Sequence, residues 1–375
     1  MRKFLSKTLF RINIIVAGFS LLGYVSVFIS PVSFWPGAFL GLLFPFLLIL
    51  NIAFIFIWAI KLKWQFLLSF MIVIAGWWLI IRYVQVNLPF HKKPAHVQST
   101  NQFKVLSYNV RLFNYFKWAR ESDAGNEIIT YIAKESPAIV CLQEFYTREK
   151  GNLTEQKIIS QLKTKYSHIK YILKKPHISN YGIATFSAYP IVGQGQISFG
   201  KTFNLSIYTD IRIGNDTVRV YNNHLQSIRF IKMDYDVMDT LKLAYDQKEV
   251  KGIIDITKRL KNAFIVRARQ AEYIAAHIKT SPYPVIVCGD FNDSPVSYTY
   301  QTISHNLNDA FIEAGSGFGK SYFGVFPSYR IDYVLHDKRF RVDQYKSPRL
   351  DLSDHFPIVC KISKIEPTPK SLFTP

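Results

Sequence analysis

No charged residue stands between Arg11 and Lys61, and this stretch more than any other limits what the chain can fold into. A membrane-crossing helix needs about 20 mostly apolar residues, so the run is long enough for two. The turn-forming stretch Ser30-Pro31-Val32-Ser33-Phe34-Trp35-Pro36-Gly37 divides it. The pattern predicts one span over residues 12–29, a second over 38–60, and a third, again uncharged, over 64–81. Pro45 falls inside the second, where a lipid-embedded helix tolerates it. Trp35, Trp58, Trp64, Trp77 and Trp78 lie near the expected ends, as interfacial aromatic residues do. A cleaved leader would account for the first segment only. Without an acidic or basic residue in any span, nothing marks an ion or substrate pathway, which argues against a transporter.

Charge gives the expected orientation. Arg2, Lys3, Lys7 and Arg11 precede the first span and Lys61 and Lys63 separate the second from the third, whereas the first connection carries none. That distribution predicts a cytoplasmic N-terminus and, after three crossings, a C-terminal domain on the non-cytoplasmic side of the cell membrane. Arg82, Lys92 and Lys93 pull the other way. Residues 1–90 thus read as a membrane region, 91–102 as a polar linker, 103–363 as a second domain and 364–375 as a tail. The net charge of the whole chain is +20. The part beyond residue 97 is itself basic, which favours an anionic partner such as a phosphate ester, a nucleic acid or an acidic lipid surface. No protein partner can be inferred. Cys141, Cys288 and Cys360 each lie in an apolar run and read as buried core residues rather than disulfide or zinc cysteines.

From residue 103 onward, strand-like apolar runs alternate with amphipathic helical ones. Strands are expected over 103–110, 138–142, 182–186, 205–211, 218–222, 284–288, 331–335 and 358–362. Helices are expected over 127–133, with Asp123 as its cap, and within 226–279, most clearly over 267–278. Mixed in this way they suggest sheets covered by helices in one α/β (α+β) domain. Asn109, Glu144, His224, Asp290, Asn292, Asp332, Asp354 and His355 all fall inside or just beyond the apolar runs. One carboxylate at a strand end is ordinarily a turn residue. Eight such positions point to a site assembled at one edge of a sheet. His91, His96, His168, His177, His277, His305 and His336 have no comparable neighbours and read as surface or packing residues.

These residue types suit phosphoester hydrolysis. A hard divalent cation held by carboxylate and amide oxygens neutralises phosphate and stabilises the leaving oxygen. Glu144 and Asp354 are suited as ligands, and Asn109 and Asn292 as ligands or donors to phosphate oxygens. Asp290 is suited to orient or deprotonate water. Asp332 can fix the tautomer of His355 and favour its charged form. The segments Ser107-Tyr108-Asn109, Leu142-Gln143-Glu144, Asn222-Asn223-His224-Leu225, Gly289-Asp290-Phe291-Asn292, Arg330-Ile331-Asp332-Tyr333 and Ser353-Asp354-His355-Phe356-Pro357, in this order, resemble the endonuclease/exonuclease/phosphatase superfamily, over about residues 103–363. The resemblance implies a four-layered α/β sandwich of two central sheets flanked by helices. It implies Mg²⁺, or Mn²⁺, held mainly by Glu144 with Asn109 and Asp354. Asp290 and Asn292 would handle the nucleophile and phosphate, with His355, Asp332 and His224 on the phosphate. The implied activity is that of a phosphodiesterase or nuclease. His224-Leu225-Gln226 leans toward sphingomyelinase-like members, so hydrolysis of lipid headgroups is the alternative, and a membrane-anchored binding protein without activity the alternative of another class. Arg111 departs from the pattern, since some members carry an acidic residue there; it would bind phosphate or face solvent.

Overall fold

The computed structural model describes residues 2–86, 102–115, 123–175, 179–200, 202, 204–228, 247–323 and 330–365. Residues 91–101 of the expected linker and 366–375 of the expected tail lie outside them.

The apolar part forms α1 (Arg2–Ser26), α2 (Pro31–Phe34), α3 (Pro36–Ile60), α4 (Phe66–Ala75) and α5 (Trp77–Ile80), followed by the short strand β1 (Val84–Gln85). Two of these helices, not three, are long and apolar enough to cross a bilayer: Phe4–Ser26 and Pro36–Ile60. The expected third span is broken at Gly76. The Ile72 carbonyl, which receives the Gly76 N–H at 3.0 Å, is also taken by the Tyr24 hydroxyl at 2.9 Å. Ten residues of α4 rise only about 15 Å, half of a hydrocarbon core.

The three apolar segments still pack together, and their polarity is inverted. Asn13 donates to Ser69 (2.7 Å) and accepts from the Trp58 indole (2.9 Å), and Asn51 donates to Ser20 (2.8 Å). These polar groups are buried, while Ile12, Ile15, Phe19, Leu22, Phe56 and Met71 face outward. Trp58 is therefore an interior residue, not the interfacial one its position near a helix end suggests.

The remainder is a four-layered α/β sandwich. One six-stranded sheet has the order β10 (Asn308–Asp309), β12 (Asp332–His336), β9 (Val285–Asp290), β8 (Asp216–His224), β7 (Leu205–Ile213), β6 (Ile191–Ile197). The other has the order β13 (Phe340–Lys346), β14 (Ile358–Lys364), β2 (Phe103–Asn109), β3 (Ile139–Arg148), β5 (Ser179–Ser187), β4 (Tyr166–Lys175). Apolar residues of both sheets, among them Val105, Ile139, Val220, Ile286 and Val334, make the central core. Cys141, Cys288 and Cys360 are buried in it as free thiols. Outside the second sheet lie α6 (Ala124–Glu135) and α7 (Glu155–Leu162), anchored by Ile128, Ile132 and Ile158. Outside the first lie α8 (Gln247–Lys279) and α9 (Tyr298–Ile303), through Ala271, Ile274 and Tyr300, with α10 (Ala310–Ala314) near the edge. Asp123 occupies the N-cap of α6, but its side chain makes no capping hydrogen bond to the backbone; it accepts from Asn126 instead.

The apolar bundle rests against this sandwich. An added Cβ at Gly41 would meet the Val296 carbonyl oxygen at 2.2 Å, so only glycine permits that approach. Arg82, stacked on Trp78, donates to the Pro295 carbonyl (3.0 Å) and to Gln301 (2.7 Å). Phe39 meets Phe264 of α8 edge-on, and Lys261 of α8 lies over Trp35. A short strand β11 (Gly317–Phe318) pairs with β1, which ties the chain leaving the bundle to the domain.

Candidate active site

The strand register brings the polar residues together. In the first sheet β8 runs parallel to β9 and places His224 opposite Asp290; β12 runs antiparallel on the other side and places Asp332 opposite Asp290. Asn109 ends β2 on the second sheet, and Ser353 donates to its carbonyl at 2.9 Å, which draws the Ser353-Asp354-His355 segment to the same edge. Glu144 leaves the regular strand path. Its φ is +50°, and the β3–β5 register shifts between Leu142 and Phe145. Non-glycine residues seldom adopt that conformation, and bulges of this kind re-aim a side chain. Gly289, with φ +135°, allows β9 to close on β8: an added Cβ would lie 2.0 Å from the Asn223 carbonyl oxygen.

Asp290 is the hub. Its Oδ2 accepts from Asn109 Nδ2 (2.9 Å) and Asn292 Nδ2 (3.2 Å), and its Oδ1 accepts from the Asn292 N–H (2.8 Å). His355 Nε2 and His224 Nε2 lie 3.7 and 4.0 Å from the same Oδ2. His224 Nε2 is also 3.6 Å from Glu144 Oε1. His355 Nδ1 bonds Asp332 Oδ2 at 2.9 Å. Asp354 enters through Arg111, whose Nε lies 3.3 Å from it and whose N–H donates to Asn109 Oδ1 at 3.0 Å. The eight sequence-predicted residues thus form one connected group. Asp293 does not join it; it accepts from Arg267 (3.2 Å) and Thr299 (2.8 Å) and braces the turn after β9.

Burial sets the electrostatics. Removal from water raises the Asp290 carboxyl to about 6; His355 opposes the rise and Asp332 adds to it. Burial alone would lower the His355 imidazole, but Asp332 and Asp290 outweigh it and hold the ring up to about 10. Desolvation raises the Glu144 carboxyl, with His355 opposing and Asp354 adding to the rise. At neutral pH the centre therefore pairs a charged imidazolium with a carboxylate near its titration point.

Two groups of side chains come into question for a cation. Among the described residues, Asp290, Asp332 and His355 offer ligand atoms within 4.8 Å of one another. A protonated imidazole has no lone pair to give, so this set suits proton chemistry. Glu144 and Asp354 offer oxygen alone, with Asn109 beside them, and the two carboxylates are more open, with side chains 26% and 19% exposed against 1% for Asp290. Two neighbouring carboxylates that repel, with a guanidinium already drawn to one, are the donor set a hard cation fits.

Sequence reasoning missed several residues. Ser321 is fully buried; its Oγ accepts the N–H groups of Ile331 and Asp332, both at 3.0 Å, and so places Asp332. Tyr322 lies on the His355 ring at 5.0 Å. Asp309 is the partner of Arg330, a residue the sequence offered only as part of its segment; the pair is buried (2.8 Å) and anchors the start of β12. Arg111 lies against Asp354, a third outcome beside the two expected for it.

The model of the endonuclease/exonuclease/phosphatase family matches residues 106–355, well over half of the sequence. This chain belongs to that family. Its members are in general phosphoester hydrolases that work with a divalent metal. A second family model, a domain of unknown function, matches residues 6–83. No curated protein matches the sequence. Among solved structures, the human Nocturnin catalytic domain with bound sulfate anion is 18% identical, covering 71% of this chain and 96% of that one, at a TM-score of 0.50. A humanized TDP2 from D. rerio is 15% identical, covering 70% and 99%, at 0.49. A family protein from Bacteroides vulgatus is 14% identical, covering 71% and 100%, at 0.48. At such identities the likeness to each is one of fold.

Proposed function

We propose that this protein is a membrane-anchored, Mg²⁺-dependent phosphoester hydrolase, with residues 1–90 as the anchor and 103–363 as the catalytic part. The observation that carries the reading is the His355–Asp332 pair set 3.7 Å from a buried Asp290 whose titration point is raised toward neutrality. Asp290 accepts the proton of the attacking water, and Asn292, oriented by its bond to Asp290, gives up its bond to the Leu225 carbonyl (3.0 Å) to donate to a phosphate oxygen. His355, held charged by Asp332, and His224 lie where negative charge gathers on the phosphate. Glu144, Asp354 and Asn109 would hold the cation, which neutralises phosphate charge and stabilises the leaving oxygen when bound. Mn²⁺ suits the same oxygen donors.

The inverted polarity of the apolar bundle supports the anchor, because lipid rewards apolar outer faces and interior hydrogen bonds between helices. Lys7 and Arg11 flank Phe10, and Lys61 and Lys63 lie between the Trp58 and Trp64 that it meets, whereas Gly41 and Arg82 toward the other end meet the sandwich. Arg82, which counted against the orientation, is committed to Pro295 and Gln301. Both favour a cytoplasmic N-terminus and a catalytic domain on the other side, because α4 and α5 run beside α1 from Trp64 at Phe10 to Trp78 at Phe28 and carry the chain back as a third, broken passage packed inside the bundle.

Full-length protein in detergent should hydrolyse bis(4-nitrophenyl) phosphate with Mg²⁺ and stop with EDTA. Turnover undiminished in His355→Ala would sink the reading. No turnover together with no Mg²⁺ or Mn²⁺ binding by calorimetry would leave a non-catalytic anchored binding protein.

A further inference from the structure

We propose that the phosphoester this site cleaves is carried by a membrane lipid and is presented to it from the bilayer; the inference rests on the anchored-hydrolase reading above and adds the substrate class to it. Two features outside the group of catalytic residues carry it.

The first is a strap from the bundle to the site. Where the chain leaves the apolar helices, Val84 pairs with Phe318, Gln85 pairs with Gly317, and the Gly319 N–H donates to the Tyr83 carbonyl at 3.0 Å. Three residues after Gly319, Tyr322 lies on the His355 ring, and one further on the Phe323 N–H donates to the Asp354 carbonyl at 2.7 Å. Four residues span at most about 14 Å. The rim of the site is thus held within that distance of the strap's contact with the bundle exit, against a headgroup layer of about 5–7 Å. Phe318 is 82% and Phe323 66% exposed, with Lys320 over the Phe323 ring at 4.6 Å. Exposed aromatic rings beside a lysine are costly in water and suited to the boundary between lipid and water.

The second is the continuation of α8. Phe264 and Lys261 dock on Phe39 and Trp35 of the bundle. On the same helical face, about two and three turns earlier, stand Ile254, Ile253 and Val250, each nearly half exposed, flanked by the exposed Lys251 and Lys258. The stripe that rests on the bundle therefore runs on beyond it, into the space lipid would occupy. The bundle, the helix stripe and the strap give the domain three attachments to one surface, and the strap is also a wall of the site.

A polynucleotide laid across this rim would press its charged backbone on Phe318 and Phe323. A lipid headgroup enters with its chains against them. In the reaction the oxygen of water bonds to phosphorus and one phosphorus–oxygen ester bond breaks. Its electron pair stays on the leaving oxygen, which takes up a proton, and the water's other proton stays with the phosphate product.

The test uses full-length protein reconstituted in vesicles of phosphatidylethanolamine and phosphatidylglycerol, with phosphatidate vesicles for a monoester. Bis(4-nitrophenyl) phosphate and plasmid DNA serve as soluble probes. Release of headgroup or phosphate from vesicles is expected, and Phe318→Asp should slow it about tenfold with the soluble-ester rate unchanged. In Phe318→Cys carrying a bimane label, which the buried native cysteines do not take, the bimane emission should be quenched by lipids brominated in the acyl chain. Soluble-ester turnover without vesicle turnover, plasmid cleavage faster than vesicle turnover, or an unquenched label would each overturn the proposal while the hydrolase reading stands. Absence of turnover on every ester would instead remove the hydrolase reading beneath it.

Discussion

A carboxylate held among two amides and two imidazoles, as Asp290 is, answers to pH in a defined direction. It accepts a proton only when ionised, and burial raises it to about 6, so kcat/KM should rise with pH through that region. A bound cation stabilises the ionised form and moves this limb downward. His355 works as a cation and loses its proton near 10, so activity falls as pH climbs toward that value. Asp332→Asn removes the carboxylate that does most to hold the ring charged. Its alkaline limb should shift toward neutrality and kcat fall by about 10²–10³. A pH–rate profile on a soluble diester reads both, and an unmoved alkaline limb would rule out this role for His355. The two donor sets separate by calorimetry: Glu144→Gln should abolish Mg²⁺ binding, whereas Asp332→Asn should keep it within about tenfold. The eight residues that the fold brings together at the strand ends were legible in the sequence because each interrupts or ends an apolar run. Ser321, Tyr322 and the Asp309–Arg330 pair were not, because their meaning comes from partners brought near only by the fold.

At the scale of single elements, the strands with continuous apolar runs were all legible. The long strands that escaped were β4, β6 and β13, and each is an outer strand of its sheet. An outer strand is wetted along one side and carries lysine, glutamine and glycine among its apolar residues, so its period is blurred. The third apolar helix was overread because hydropathy does not register a tyrosine from a neighbouring helix claiming the Ile72 carbonyl. β4 also carries a stability switch. His168 bonds Thr209 of the facing sheet at 2.9 Å, and burial lowers its imidazole to about 4. Because the folded value lies below the unfolded one near 6.5, this contribution is intact above pH 6.5 and is lost as pH falls toward 4. Thermal melts should decline over that window by about 1–2 kcal/mol more in the wild type than in His168→Gln, after discounting for residual solvent contact. On α3, Gly41→Leu should separate bundle from sandwich without unfolding either. Faster proteolysis around Pro295 with an unchanged far-ultraviolet circular dichroism spectrum would be the signature.

For the whole molecule, the two ends of the bundle should lie on opposite sides of a membrane. The native cysteines are buried and will not interfere, so Leu62→Cys should react with an impermeant maleimide only from the face opposite to the one that labels Lys338→Cys. Labelling of both from one side would defeat the two-sided arrangement. The register of the first sheet has a consequence of another kind. His224, Asp290 and Asp332 are direct partners on three adjacent strands, and a slip of one residue turns a side chain to the opposite face. A misassembled sheet therefore cannot retain partial function. Specific activity per mole of purified chain becomes a gauge of correct strand assembly, and preparations should sort into working and dead molecules with little between.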